Sequence, residues 1–338
     1  MDMTLPTTTP MTTPTTTLVS THEAPLPAAL ADQVRRLQVS SKAANTLRAY
    51  RSDLAGFTKW CDERGRRYDP ATPETVAAFV ADHVGLWKVS TLTRKVAAIS
   101  EAHKLAGLPN PCQHPVVTET LSGLRRENRR PRQQAAGLLK ADMLVLLDHL
   151  GKDTTLAGWR DRALVLVGWC ASLRRSELAA LTWGQVERDA DGVLLHLVGS
   201  KTDKAGEGQQ VGLAYDQPAV CPVRALLEYR DQLARVDRGL VADQAAVFPR
   251  LNRWGQVQGR MSGQAVASVI QRRTQAAGLL KHYSGHSLRV GLIQEGKLQG
   301  VEDSVVMATT RHKGVNMLRQ YQGTAGLVSR AAHRGLLA

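Results

Sequence analysis

Toward the end of the 338-residue chain, from Tyr283 to Tyr321, runs the stretch YSGHSLRVGLIQEGKLQGVEDSVVMATTRHKGVNMLRQY. His286 and Arg289 stand three apart, a spacing that puts both side chains on one face of a helix. His312 follows, then Tyr321 at the end of the apolar-patterned VNMLRQY. An arginine and two histidines ahead of a tyrosine, in a basic chain, point to a phosphate handled by a tyrosine nucleophile. Upstream, Arg174 interrupts an otherwise apolar helical pattern, and a buried guanidinium wants a carboxylate or a phosphate. Glu177, one turn on in LRRSEL, can hold that guanidinium or a neighbouring imidazole. Lys201 falls between two β-rich runs. Each of these residues alone is ordinary; their order is what carries information.

The elements that must position them read as follows. Residues 140–150 and 159–173 pattern as helices, the second nearly apolar and therefore buried, with SLRRSELAALTW continuing it. GVLLHLVGSKTDKAGEGQQVGLA predicts a β-hairpin with a long polar loop. Cys221-Pro222 opens a helix through Leu233, residues 247–261 form a short connection or hairpin, and 262–277 a further helix. The first half carries few strand signals. Residues 46–61 place Leu47, Tyr50, Leu54, Phe57 and Trp60 at helical spacing, with Arg48 on the other side. Thr72 caps a second helix, Ser90 a third that Gly107 ends, and residues 116–128 give a fourth. Arg94 and Lys95 lie in the first turns of that third helix, where a DNA-reading helix presents its base contacts. Gln264 is a weaker candidate of the same kind.

Between the halves lies RRENRRPRQQAAG, which reads as a linker following a phosphate backbone through Arg125, Arg126, Arg129 and Arg130. The division expected is a disordered Thr/Pro-rich tail over 1–30, a helical DNA-binding domain over 31–128, a basic linker over 129–137 and a catalytic domain over 138–338. A formal net charge of +14, spread along the chain, argues for a polyanionic partner. Cys61, Cys112, Cys170 and Cys221 are far apart, without zinc or disulfide spacing. No apolar run reaches the roughly 18 residues of a membrane span. A cytoplasmic, nucleoid-associated protein is expected, with no membrane partner.

Arg174, the hairpin Lys201, His286-Ser287-Leu288-Arg289, His312 and Tyr321 occur in the order that marks the tyrosine recombinase (phage integrase) family. The chain resembles that family over nearly its whole length after the tail. SGHSLRVG, TLRAYRSDLAGFTKWC, SGLRRENRR and AGLPNP are especially similar to its Cre-like branch. Three positions depart from the pattern: Arg175 follows Arg174 where apolar residues are usual, Arg311 precedes His312 where glycine is common, and Lys204 competes with Lys201. The turn at Arg311 is accordingly expected to differ.

The resemblance implies a mainly α (α+β) protein. Its helical core-binding domain and its catalytic domain with a small antiparallel sheet would form a C-shaped clamp on DNA. It implies Tyr321 as nucleophile and Arg174 and Arg289 on the phosphate oxygens. His286 would be base or relay, His312 a hydrogen-bond donor, Lys201 the acid and Glu177 an orienting group. It implies neither metal nor other cofactor. The substrate would be a double-stranded recombination site, inverted-repeat arms around a spacer, worked by a homotetramer on two duplexes, with the last helix exchanged between protomers. Alternatives are a type IB topoisomerase-like relaxing enzyme and a degenerate DNA-binding module.

Overall fold

The structure, a computed structural model, describes residues 27–40, 44–128, 135–198, 208–312 and 314. By its internal contacts the chain divides into two compact units, residues 1–132 and 133–338.

The first unit is helical: α1 (Ala28–Ser40), α2 (Ala44–Glu63), α3 (Pro73–Asp82), α4 (Val89–Leu105) and α5 (Pro115–Glu127). The apolar spacing noted in α2 becomes its buried face, with Phe57, Trp60 and Cys61 against Phe79 and Val80 of α3 and Leu92, Val96 and Ile99 of α4. Phe79 meets Trp60 edge to face at a centroid distance of 5.3 Å. Thr72 caps α3 as expected, its side-chain oxygen accepting from the Thr75 N–H at 3.2 Å. The start of α4 differs from the expectation. Helical backbone begins at Val89, so Ser90 lies inside the helix and Lys88 occupies the cap without a side-chain bond. Helix α1 likewise begins at Ala28, inside the segment assigned to the tail.

The second unit holds α6 (Lys140–Gly151), α7 (Leu156–Cys170), α8 (Arg175–Ala180), β1 (Val186–Asp189), β2 (Gly192–Leu197), β3 (Gln209–Ala214), α9 (Pro222–Val236), β4 (Pro249–Leu251), β5 (Val257–Arg260), α10 (Gly263–Ala276), α11 (Ser287–Leu298) and α12 (Asp303–Thr310). The chain is thus mainly helical with small antiparallel sheets. Strands β2 and β3 form the expected hairpin, and β1 adds a third strand. Its sequence, VERD, is short, polar and largely exposed, so no apolar alternation announced it.

Helix α7 is the hub. Ala163 to Val167 are fully or almost fully buried, and α6, α9 and α11 pack around them. Asp161, with no exposed surface, accepts from Arg160 at 2.6 and 2.8 Å and from Arg273 of α10 at 2.7 Å. Residues 136–140 lie along α11 and the end of α7. The Leu138 N–H donates to Ser287 O at 2.9 Å, Trp169 Nε1 to Leu138 O at 2.8 Å, and the Lys140 N–H to Glu295 Oε2 at 2.9 Å. This close approach requires Gly291, since a Cβ there would stand 2.1 Å from Leu138 O.

Candidate active site

The site begins where α7 stops. The apolar pattern predicts one helix running on through LRRSEL, but α7 ends at Cys170. Ser172 adopts a left-handed backbone (φ 51°), its N–H bonds Trp169 O, and the Leu173 N–H bonds Gly168 O, each at 3.0 Å. This is a Schellman ending, with serine in the place glycine usually takes. The chain then restarts as α8 with Arg174 at its N-cap. The break turns the Ser172 carbonyl inward and sets Arg174 at the site rather than on the side of a continuous helix.

Glu177, 8% exposed, fixes this turn. Its Oε2 accepts the Arg174 N–H at 2.9 Å and its Oε1 accepts Arg174 Nη1 at 2.6 Å. Arg175 is exposed and turns the other way, donating to Gln264 Oε1 on α10 at 3.3 Å.

From the opposite side come α11 and the end of α12. Arg289 is 1% exposed and donates through Nη1 to Ser172 O at 2.7 Å, and through Nη2 to Thr310 O and to His312 Nε2, the last at 3.0 Å. These three acceptors carry no formal charge and orient the guanidinium. His286 is exposed at the N-cap of α11, next to the helical turn on which Arg289 is buried.

His312 is held by its neighbours in one tautomer. A guanidinium can only donate, so Nε2 accepts from Arg289, and Nδ1 carries the proton toward Thr310 Oγ1 at 2.9 Å. Thr310 passes its own proton to Val306 O at 2.7 Å. Burial first, and then the charges of Arg289, Arg174, His286 and Arg311, push the His312 pKa down to about 4. Of the residues the sequence set in order, the structure brings Arg174, Glu177, His286, Arg289 and His312 into one cluster.

Arg311 belongs to that cluster as well, and sequence reading passed over it except as a departure. It ends α12 in the left-handed region (φ 56°, ψ 40°). The backbone there takes the shape that glycine favours at such an ending, and arginine bears it. Its guanidinium reaches Glu177 Oε2 at 2.8 Å. Ser172 and Thr310 were missed for a plainer reason. Both meet Arg289 through backbone carbonyls, which no residue type advertises.

The other predicted residues fall elsewhere. Lys95 is 8% exposed, paired with Asp53 at 3.2 Å and stacked on Trp87 at 4.3 Å from the ring centroid. It therefore faces the interior of its unit rather than presenting itself to bases. Arg94 pairs with the same Asp53 at 2.9 Å but keeps 44% of its side chain exposed. Arg48, Arg125, Arg126 and Gln264 are exposed. Lys201, Lys204, Arg129, Arg130 and Tyr321 lie outside the described residues, as do most of the tail and the terminal helix. Among the described residues no group of His, Cys, Asp and Glu side chains could hold a metal ion, and no helix is long and apolar enough to cross a membrane.

A model of the phage integrase family matches residues 138–325, which include the whole cluster, and a model of the phage integrase N-terminal SAM-like domain matches residues 34–106. The chain belongs to the phage integrase family, the tyrosine site-specific recombinases. Among curated relatives, an integrase/recombinase XerD homolog of Selenomonas ruminantium is 33% identical over 85% of this chain and 83% of its own length. The tyrosine recombinase XerC of Xanthomonas axonopodis pv. citri is 29% identical over 79% of this chain and 84% of its own. The phage integrase fold is also that of the XerH site-specific recombinase bound to palindromic difH substrate. That match has a TM-score of 0.59 and 14% identity, covering 90% of this chain and 84% of that one. The Tn1549 transposon integrase in complex with circular intermediate DNA matches with a TM-score of 0.58 at 15% identity, over 90% and 98% of the two chains.

Proposed function

We propose that this chain cleaves and rejoins double-stranded DNA at a specific site through a 3′-phosphotyrosyl link to Tyr321. The observation that carries the reading is the convergence of Arg174, Arg289 and His312: Glu177 holds Arg174, Arg289 bonds His312, and the charges of both arginines act on the His312 ring. Fixed guanidiniums of this kind suit a phosphoryl group whose charge rises in the transition state.

The Tyr321 oxygen attacks phosphorus, and the bond to the 5′ oxygen breaks. His286 takes or relays the phenolic proton and Lys201 protonates the leaving 5′ oxygen. Arg174 and Arg289 hold the non-bridging oxygens. An arriving phosphate opposes the cations that depress His312, so its proton affinity rises and Nε2 can turn from acceptor to donor. The freed 5′ hydroxyl later attacks the phosphotyrosine and restores the strand. The reading thus includes neither metal nor nucleotide cofactor.

The DNA would be inverted-repeat arms around a spacer. Two duplexes held by a homotetramer would exchange strands through a Holliday junction, with the terminal segment passed between protomers. Residues 31–128 would act as the core-binding domain, 129–137 as the linker and 138–338 as the catalytic domain. Arg48, Arg94, Arg125, Arg126, Arg129, Arg130 and Gln264 would serve as DNA contacts. A cytoplasmic, nucleoid-associated location follows from that substrate.

A plasmid bearing two copies of the site tests the reading. The wild-type chain should yield recombined circles, and Tyr321→Phe none. Relaxed but unrecombined plasmid would favour the topoisomerase alternative, and recombination by the phenylalanine variant would remove Tyr321 as nucleophile.

A further inference from the structure

Two guanidiniums share one carboxylate in this site, and a third lies beside them. Arg174 and Arg311 divide the two oxygens of Glu177, at 2.6 and 2.8 Å, while Arg289 is held by carbonyls and the His312 ring. Arg311 is no surface residue reaching in. Only 5% of its side chain is exposed, and its Nε has no hydrogen-bond partner among the described residues. Its bonds to Ala171 O and Ser172 O are long, 3.4 and 3.5 Å, which leaves Glu177 as its main partner. Burial lowers its pKa and the Glu177 charge opposes that change.

Arg311 also holds a left-handed backbone, a conformation that costs a non-glycine residue about 1 kcal/mol or more. Ser172, whose carbonyl Arg311 and Arg289 share, is the other such non-glycine residue among those described. Backbone strain thus converges on this cluster from both sides. A glycine at position 311 would relieve one half of it and give up the ion pair.

We propose that Arg311 is a positioning residue for phosphoryl transfer: it takes up the charge of Glu177, so that Arg174 keeps its own positive charge for the DNA phosphate. Without Arg311 the Glu177 carboxylate would draw on Arg174 alone; with it, one carboxylate oxygen is taken by Arg311. A phosphoryl group approaching its transition state gains negative charge, and an Arg174 less engaged by Glu177 favours that state over the ground state. Glu177 in turn is pulled from both sides, which fixes the N–H it accepts at the start of α8.

The inference rests on the recombinase reading. Its test uses nicked duplexes drawn from DNA flanking the coding sequence, with the duplex that the wild-type chain captures covalently as the common substrate. Arg311→Gly should bind this duplex as wild type does, yet form adduct about 10- to 100-fold more slowly. R311K, which restores charge without the planar fork, should recover part of the rate. In a Glu177→Gln background the same glycine substitution should change the rate by less than about threefold, because no carboxylate charge remains to be taken up. Melting temperatures of all five chains separate this from folding, and a merely structural role would give equal losses in both backgrounds. Equal losses, or wild-type rates in Arg311→Gly, overturn the inference while leaving the recombinase reading intact. Failure of the wild-type chain itself to form any adduct overturns the reading, and the inference with it.

Discussion

His312 and Arg289 are joined by one contact of 3.0 Å in the candidate site. Because burial, the Arg289, Arg174 and Arg311 guanidiniums and the neighbouring His286 hold the imidazole near pKa 4, it is neutral at physiological pH in the DNA-free chain. The unfolded chain takes up the same proton near the ordinary value of about 6.5. Below that pH the unfolded state binds more protons than the folded one. Stability is therefore full above about pH 6.5 and declines as pH falls toward 4. An imidazole NMR titration of the free protein should give a His312 midpoint close to 4, and urea unfolding should weaken over that window. A His312→Asn variant should lose that part of the pH dependence. A midpoint between 6 and 7 would mean that the ring is not enclosed as described.

At the scale of elements, Arg174 and Arg289 are placed by interruptions. Helix α7 must stop at Cys170 for Ser172 O to meet Arg289 and for Arg174 to cap α8. Residues 136–140 must lie against α11 for Arg289 to be fixed. Gly291→Ala would drive a Cβ against Leu138 O, at 2.1 Å in the present backbone. Overpacking of this kind costs about 1–3 kcal/mol, and should lower the melting temperature by roughly 3–10 °C and slow adduct formation. Gly123→Ala in α5, where nothing lies within 4 Å, should instead be neutral or stabilising by up to about 1 kcal/mol. A Gly291→Ala chain as stable as wild type would show that the approach is looser than described.

Which parts of this were legible beforehand follows from the same physics. The helices with an apolar stripe, such as α2 and α10, were read from their spacing, because burial imposes that spacing on the sequence. Arg174, Glu177, His286, Arg289 and His312 were read from type and order. The end of α7 was not, since a run as apolar as ALVLVGWCASL hides a serine-made Schellman turn. Strand β1 was missed because a polar edge strand has no alternation to show. Arg311 stood out as a departure, but its partner Glu177 lies 134 positions away and no local pattern links them.

Over the whole molecule the net charge of +14 should make DNA binding steeply dependent on salt. Arg125 and Arg126, exposed in the last turn of α5, belong to that term if they contact phosphates. Replacing both by alanine should reduce the slope of log affinity against log salt by about one unit per residue, leaving the cleavage rate of the bound complex unchanged. An unaltered slope would remove them from the interface. The central claim, that Tyr321 links covalently to DNA, is met most directly by trapping. The full chain is incubated with nicked duplexes from its own flanking DNA, denatured, and the attached peptide is mapped by mass spectrometry. The account predicts a denaturation-resistant adduct on Tyr321 joined to a 3′ phosphate. Tight binding without any adduct, or an adduct on another residue, would contradict it.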